Sequence, residues 1–217
     1  MHDDLAKAFY NAVGVVAQND PTNPKSFFAV ERIRSLLATV ICPGMRALDL
    51  GCGAGRFTFA LDDLGADVTG VDCAEIPLEY ARKIAEFENR TCSFRQCVLP
   101  SLPFNNKSFD FVLLAENIVE FSYQDMAKIS EQVSRILDEQ GIFCLSFKPE
   151  DRPNELKVSH YKIPNKGVFE YHSYPWSLQR TKAIVGKYLS FISVEEALDK
   201  RLWLTFKKSE ECPTSED

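Results

Sequence analysis

The sequence predicts an α/β domain built on a doubly wound, mainly parallel sheet, and three observations carry that expectation. Met45 to Asp49 is a short apolar run that passes through Gly51, Gly53 and Gly55 into a segment with Phe57, Ala60, Leu61 and Leu64 at helical spacing. Glycines at alternate positions suit a backbone that must take positive φ or let a ligand reach its amides, and the helix start beyond them aims unpaired N–H groups at the same spot. Residues 66–72 then read as a second strand, whose last residue, Asp72, lies about 20 residues past the first strand, where a ribose hydroxyl would find an acceptor. Strand-like and helix-like segments keep alternating beyond it, which implies right-handed crossovers and helices on both faces.

The elements follow in order. Leu5, Phe9, Ala12, Val13 and Val16 predict a helix over 5–16, broken by the 19–24 loop with Pro21 and Pro24. A second helix is expected over 26–40, burying Val30, Ile33, Leu37 and Val40 before Pro43-Gly44 turns into the first strand. After Asp72, Ile76, Tyr80, Ile84 and Phe87 mark one face of a helix, and 91–98 reads as the third strand. Phe109 to Ala115 is an unbroken apolar run, as expected of a strand buried on both sides. Ser122 is placed to cap a helix with Met126, Ile129, Val133, Ile136 and Leu137 on its inner face, and Gly141 ends the turn before a fifth strand over 141–148. From 150 to 166 the chain is polar, with Pro153 and Pro164. Then come the aromatic cluster Phe169-Tyr171-His172-Tyr174-Trp176, a helix over 177–188, strands over 191–197 and 201–206, and a polar tail expected to lack ordered structure.

With 217 residues, the chain suits one domain able to bury a sizeable core. Its net charge of −6 and the lack of any Lys/Arg stripe make nucleic acid a poor partner. Seven cysteines, an odd number without a C-x-x-C pair, sit mostly in apolar runs and read as reduced and structural. Neither a leader segment nor a bilayer-length apolar run is evident, so a cytoplasmic protein without membrane attachment is expected. No His/Cys/Asp spacing resembles a zinc site, and no metal is expected.

In a dinucleotide oxidoreductase the third glycine would follow two intervening residues, but that position is Arg56 and Gly55 comes one residue early, which disfavours a nicotinamide cofactor. Asp49-Leu50-Gly51-Cys52-Gly53-Ala54-Gly55 followed by Val71-Asp72 resembles instead the class I S-adenosylmethionine-dependent methyltransferases, most closely their small-molecule branch related to the ubiquinone-biosynthesis enzymes, over residues 46–148. The resemblance implies a Rossmann-like seven-stranded sheet with an antiparallel last strand and an N-terminal helical lid. It implies a single domain over 1–208: lid in 1–42, cofactor core in 45–148, variable acceptor segment in 149–176, and a C-terminal helix and strands in 177–208, with the tail at 209–217. It further implies an enzyme that binds S-adenosyl-L-methionine, releases S-adenosyl-L-homocysteine and methylates N or O of a small metabolite, as a monomer or homodimer. Two other readings keep the fold: a non-catalytic binding module, and a methyltransferase acting on protein or RNA, the acidic charge opposing RNA.

Methyl transfer from a sulfonium is an in-line displacement, so positioning can supply roughly 7–11 kcal/mol and a strong base is optional. By resemblance, the backbone of Gly51, Cys52, Gly53 and Gly55 meets the methionine and ribose portions. Asp49 holds the amino group through water or loop amides, Asp72 accepts from both ribose hydroxyls, and Tyr10 faces inward from the lid. Cys73, Leu99 and Ile76 are candidate walls of the purine slot, each with ordinary packing as the competing role. Where relatives often carry an Asp for the adenine amino group this chain has Val98, which shifts that contact to the backbone at Leu99 or the side chain of Gln96. Glu116, Asn117 and Glu120 stand where the fourth strand ends, the edge that faces an acceptor, so Glu116 and Glu120 are candidates to take a proton or attract an amine, with a solvated helix-start charge as the competing role, and Glu116 is also a candidate cofactor contact. Many relatives have a His here; Glu120-Phe121 replaces it. His172 is the third catalytic candidate, in an acceptor wall expected to include His160, Tyr174 and Trp176.

Overall fold

The computed structural model describes residues 2–13, 34–150, 156–163, 165–197 and 200–208, the side chains of 2–6 and 13 apart. In chain order these form α1 (His2–Val13), β1 (Arg46–Leu50), α2 (Arg56–Asp63), β2 (Asp67–Asp72), α3 (Glu75–Phe87), β3 (Ser93–Gln96), β4 (Phe109–Ala115), a 3-10 turn (Ile118–Glu120), α4 (Tyr123–Ile136), β5 (Leu137–Phe147), β6 (Lys157–Ile163), β7 (Gly167–Ser173), α5 (Leu178–Val185), β8 (Leu189–Glu196) and β9 (Leu202–Lys208). Seven strands share one sheet in the order β3-β2-β1-β4-β5-β9-β8. Strands β1 to β5 pair in parallel, while β9 runs antiparallel to both β5 and β8. This is the expected sheet, antiparallel last strand included.

Side chains alternate across a strand, so each central strand feeds two cores. Leu48 and Leu50 of β1, Val112 and Leu114 of β4, and Phe143 and Leu145 of β5 pack with Met126, Ile129, Val133 and Ile136 of α4 on one face. Ala47, Phe111, Leu113 and Cys144 point the other way, onto Phe57 and Leu61 of α2 and Leu78 and Ala81 of α3. Each fully buried Leu or Phe contributes about 1.5–3 kcal/mol relative to exposure, so the unbroken apolar run of β4 is accounted for by two faces rather than one. The Ser122 hydroxyl caps α4 by accepting from Asp125 N at 3.1 Å.

Four expectations are corrected. The inner face of α3 is Pro77, Leu78, Ala81 and Ala85, while Ile76, Tyr80 and Phe87 are exposed, Phe87 to 88 %; small alanines let the helix approach the sheet where the larger stripe would hold it off. Strand β5 begins at Leu137, paired with Phe109, and the ladder resumes at Ile142, so Gly141 lies in an irregularity inside the strand rather than before it. A Cβ at Gly141 would come within 2.9 Å of the Asp138 carbonyl and the Leu137 side chain, which is why a glycine stands there. The segment expected to be irregular contains an antiparallel hairpin, β6 with β7, in register from Lys157 opposite Ser173 to Ile163 opposite Gly167. Its turn takes positive φ at Asn165 (61°) and Gly167 (107°), conformations open to Asn and Gly. Strand β3 spans only Ser93–Gln96 of the expected 91–98. The expected helix over 26–40 is described only from residue 34, with 34–37 helical. Residues 14–33 and the tail lie outside the described residues, as do Pro153 and Pro164.

Candidate active site

From β1 the chain winds outward through β2 and β3, then crosses back to β4 on the other side of β1. Ligands in open α/β sheets bind at such a reversal, beyond the strands' carboxyl ends. A cavity of about 300 Å³ opens there, with Gly51 and Cys52 after β1, Asp72 and Cys73 at the end of β2, and Val98 and Leu99 after β3 in its wall. Glu116 and Asn117 follow β4 into the same wall, which Arg56, Glu120, Phe121, Asp125 and Tyr10 also line. The loop bearing Leu99 is held on α4 by Arg135, which donates to the carbonyls of Leu102 at 2.9 Å and Phe104 at 2.7 Å.

The turn after β1 is pinned to β2 by Gly51 N and Cys52 N, both donating to the Val71 carbonyl at 2.8 and 3.0 Å. Gly51 has φ 71°, and a Cβ on it would overlap the Asn117 amide. Asn117 Nδ2 donates to the Leu50 carbonyl at 3.0 Å and the Gly51 carbonyl at 3.3 Å, while its buried Oδ1 has no partner among the described residues. An orphaned acceptor in a cavity wall suits a ligand that brings an N–H. Gly55 is glycine for packing: a Cβ there would lie 2.8 Å from Phe59 and 3.1 Å from Phe94. Gly51 and Cys52 line the cavity, whereas Gly53 and Gly55 stand behind the lining.

Asp49 also stands back from the cavity. It is 1 % exposed, accepts from Thr58 Oγ1 at 2.7 Å, and is pushed up to about 6 by burial, with the Thr58 hydrogen bond opposing and the Asp72 charge adding. Its place is beneath the turn, where it ties β1 to α2. Asp72 reaches the cavity and also organises it: Oδ2 accepts from Gly53 N at 2.8 Å and Oδ1 from Ala74 N at 2.9 Å. Burial raises its carboxyl, against those two bonds. Burial likewise lifts the Cys73 thiol to about 12, with the Asp72 charge adding, so it acts as wall rather than nucleophile.

Beyond β4 the two glutamates differ. Glu116 adopts φ 70° and is clamped between Arg56, at 2.9 Å, and Arg201; its charge is neutralised, which argues against a base. Glu120 instead meets two phenols, Tyr10 OH and, at 3.4 Å, Tyr171 OH, both donating to Oε1. Burial pushes its carboxyl up to about 7, opposed by the Tyr10 bond and helped by the Asp72 charge. Tyr10 is carried in by α1, which docks through Phe9 on Tyr161 and Tyr171, through Asn11 Oδ1 accepting from Ile76 N at 3.0 Å, and through Lys166 Nζ donating to the Ala12 carbonyl at 2.9 Å.

The expected acceptor wall is mostly elsewhere. His172 points to the face of β7 opposite Tyr171 and bonds Glu170, outside the cavity lining, because successive residues of a strand face opposite sides. His160 meets the same Glu170 at 3.5 Å. Trp176 is fully buried in the core around α4, and Tyr174 N donates to the Val119 carbonyl at 2.6 Å. Gln96 Nε2 is engaged by the Cys73 carbonyl at 2.9 Å, and Ile76 is not in the lining. Phe121 and Asp125, which line the cavity instead, carried no periodic signal, and Arg56 was visible only as a missing glycine; Tyr171 reaches Glu120 from outside the lining.

Residues 47–141 match the family model of a methyltransferase domain. Over that segment the chain is similar to the class I S-adenosylmethionine-dependent methyltransferases. It is similar to the ubiquinone biosynthesis O-methyltransferase of Cereibacter sphaeroides, 35 % identical over 102 residues that make up 47 % of this chain and 41 % of that one. The chain spans about half the length of the curated relatives it matches. In fold it is similar to the PH0226 protein from Pyrococcus horikoshii OT3, with a TM-score of 0.79, 22 % identity and 94 % and 99 % of the two chains covered. It is similar too to a Burkholderia thailandensis 1,6-didemethyltoxoflavin-N1-methyltransferase solved with bound 1,6-didemethyltoxoflavin and S-adenosylhomocysteine: TM-score 0.69, 18 % identity, 97 % and 91 % covered. S-adenosylmethionine is the family's cofactor. Among the described residues no helix is long and apolar enough to cross a membrane, and no cluster of metal-ligating side chains occurs.

Proposed function

We propose that this chain transfers a methyl group from S-adenosylmethionine to the nitrogen or oxygen of a small molecule. The observation that carries the reading is continuity: a single cavity, of ordinary ligand size, extends from Gly51 and Asp72 to Glu120, Tyr10 and Phe121. Donor and acceptor would share one space. When bound, the sulfonium supplies an electrophilic methyl carbon. The protein's part is to position and to move a proton. Asp72 has lone pairs left over from the Gly53 and Ala74 amides for ribose hydroxyls, Asn117 Oδ1 is an acceptor for the ammonium, and Arg56 is a cation for the carboxylate. Cys73, Val98 and Leu99 offer an apolar wall for the purine. Glu120, the cavity glutamate with no cation beside it among the described residues, is the group suited to take a proton, a role worth roughly 10²–10⁴-fold in rate.

The similar proteins support a small acceptor of either kind, since one is named for O-methylation and another for N-methylation. Calorimetric titration with S-adenosylmethionine and S-adenosylhomocysteine, followed by mass-spectrometric detection of S-adenosylhomocysteine formed in the presence of mixed small amines, phenols and acids, tests the reading. Micromolar binding and acceptor-dependent product are expected. No heat with either ligand would overturn it.

A further inference from the structure

We propose that the acceptor is an amine, held as its ammonium on Glu120 Oε2 and deprotonated by that oxygen. This deepens the methyltransferase reading and rests on it. Three observations converge on the acceptor end of the cavity.

The first is the division of labour within one carboxylate. Both phenols, Tyr10 and Tyr171, donate to Oε1, which fixes the plane of the group, whereas Oε2 has no hydrogen-bond partner among the described residues and belongs to a side chain in the cavity wall. The second is charge. Among the described residues no Lys or Arg pairs with Glu120, although Glu116, four residues earlier, has two arginines. Asp125 lines the same end, its Oδ2 accepting from Ser122 Oγ at 2.6 Å. A desolvated carboxylate left without a cation is costly, and a ligand that brings the cation removes that cost. The third is the wall. Tyr10 and Phe121 line the cavity, and aromatic faces attract ammonium groups.

The charge balance of the step is closed. The ammonium proton passes to Glu120 Oε2, leaving a neutral amine and a neutral carboxylic acid. The nitrogen lone pair then forms the N–C bond to the methyl carbon as the C–S bond breaks, and the sulfur keeps that electron pair. The positive charge moves from sulfur to the methylated nitrogen. The groups facing Glu120 that titrate are Tyr10 on α1, Tyr171 on β7, and Asp72 and Cys73 at the end of β2; none of them is a cation.

The test titrates the protein saturated with S-adenosylhomocysteine by calorimetry, using 2-phenylethylamine, 2-phenylethanol and 3-phenylpropanoate, which are of similar size but cationic, neutral and anionic at neutral pH. The amine should bind at least about tenfold more tightly than the alcohol, and the carboxylate least. In Glu120→Gln the preference should collapse, and in Glu120→Asp it should persist in weakened form. Equal or tighter binding of the alcohol or the carboxylate, no binding of the amine at millimolar concentration, or an undiminished preference in a folded Glu120→Gln protein would overturn the assignment. S-adenosylhomocysteine binding with no amine preference sinks the acceptor assignment alone, whereas failure to bind S-adenosylhomocysteine removes the methyltransferase reading and this one together.

Discussion

At the scale of single residues, the cavity distinguishes side chains that are near the chemistry from those that hold the near ones in place. On the proposed reading Glu120 is near, and burial keeps its carboxyl protonated below about 7, so the base form grows as pH rises. The expected outcome is kcat/KM increasing with pH through about 7 in the parent and losing that limb in Glu120→Gln, read from steady-state rates across pH. Asp49 acts through its surroundings instead. Its carboxyl rises from 3.8 unfolded to about 6 folded because it is buried, so between those values the folded state binds more protons and stability falls as pH rises, levelling off above about 6. Asp49→Asn should flatten that slope and gain on the order of 2–3 kcal/mol relative to the parent at pH 7 over pH 4, measured by urea unfolding at both. Trp176 is neither: it fills the core with an indole N–H that has no partner among the described residues. Trp176→Ala should cost about 3–5 kcal/mol and Trp176→Phe much less, with S-adenosylhomocysteine affinity unchanged in both where folded.

At the scale of elements, what was legible in the sequence was local. The turn at Gly51–Gly55 and the acid at Asp72 announce themselves within about 25 residues, and β4 reads as doubly buried from its own seven side chains. What was not legible depends on distance along the chain: Asn117 meets Gly51 across 66 positions, Glu116 meets Arg201 across 85, and Tyr10 meets Glu120 across 110. No window of periodicity contains such pairs. The hairpin β6–β7 was hidden for another reason. β6 is mostly exposed and β7 mostly half-buried, so they lack the alternation that a buried face imposes, yet their position decides where α1 sits. Phe9 joins the two by stacking on Tyr161 and Tyr171, contacts worth about 0.5–1.5 kcal/mol each beyond their area. Phe9→Ala should therefore speed amide exchange across both α1 and β7 and weaken amine or acceptor binding by about tenfold, with melting temperature barely moved. Faster exchange in α1 alone would mean that the two elements are not coupled.

At the scale of the whole molecule, the two hydrophobic cores are not independent, because Leu48, Val112 and Phe143 of one alternate with Ala47, Phe111 and Cys144 of the other along the same strands. Losing either face strips the sheet that the other needs. The edge hairpin β8–β9 is bound into this unit too, by six residue pairs from β5 to β9, Ile142 opposite Lys207 through Phe147 opposite Leu202, and by the Arg201–Glu116 ion pair that reaches from its connecting loop to the cavity. The molecule should consequently melt in one transition, with calorimetric and van't Hoff enthalpies equal. S-adenosylhomocysteine binds only the folded state on this reading, so at a hundredfold excess over its dissociation constant it should add about 2.7 kcal/mol and raise the midpoint by roughly 5–10 °C for a chain of this size. The shift should apply to the whole transition, since a ligand in the cavity would touch the loops after β1, β2 and β4 that line it. Scanning calorimetry with and without the ligand decides the matter. A second, ligand-insensitive transition would show that β8–β9 and α5 unfold apart from the cavity, and Arg201→Ala would then leave the ligand-induced shift untouched; in the single-unit molecule the same substitution lowers both the midpoint and the shift, because it loosens Glu116 at the cavity wall while detaching the edge of the sheet.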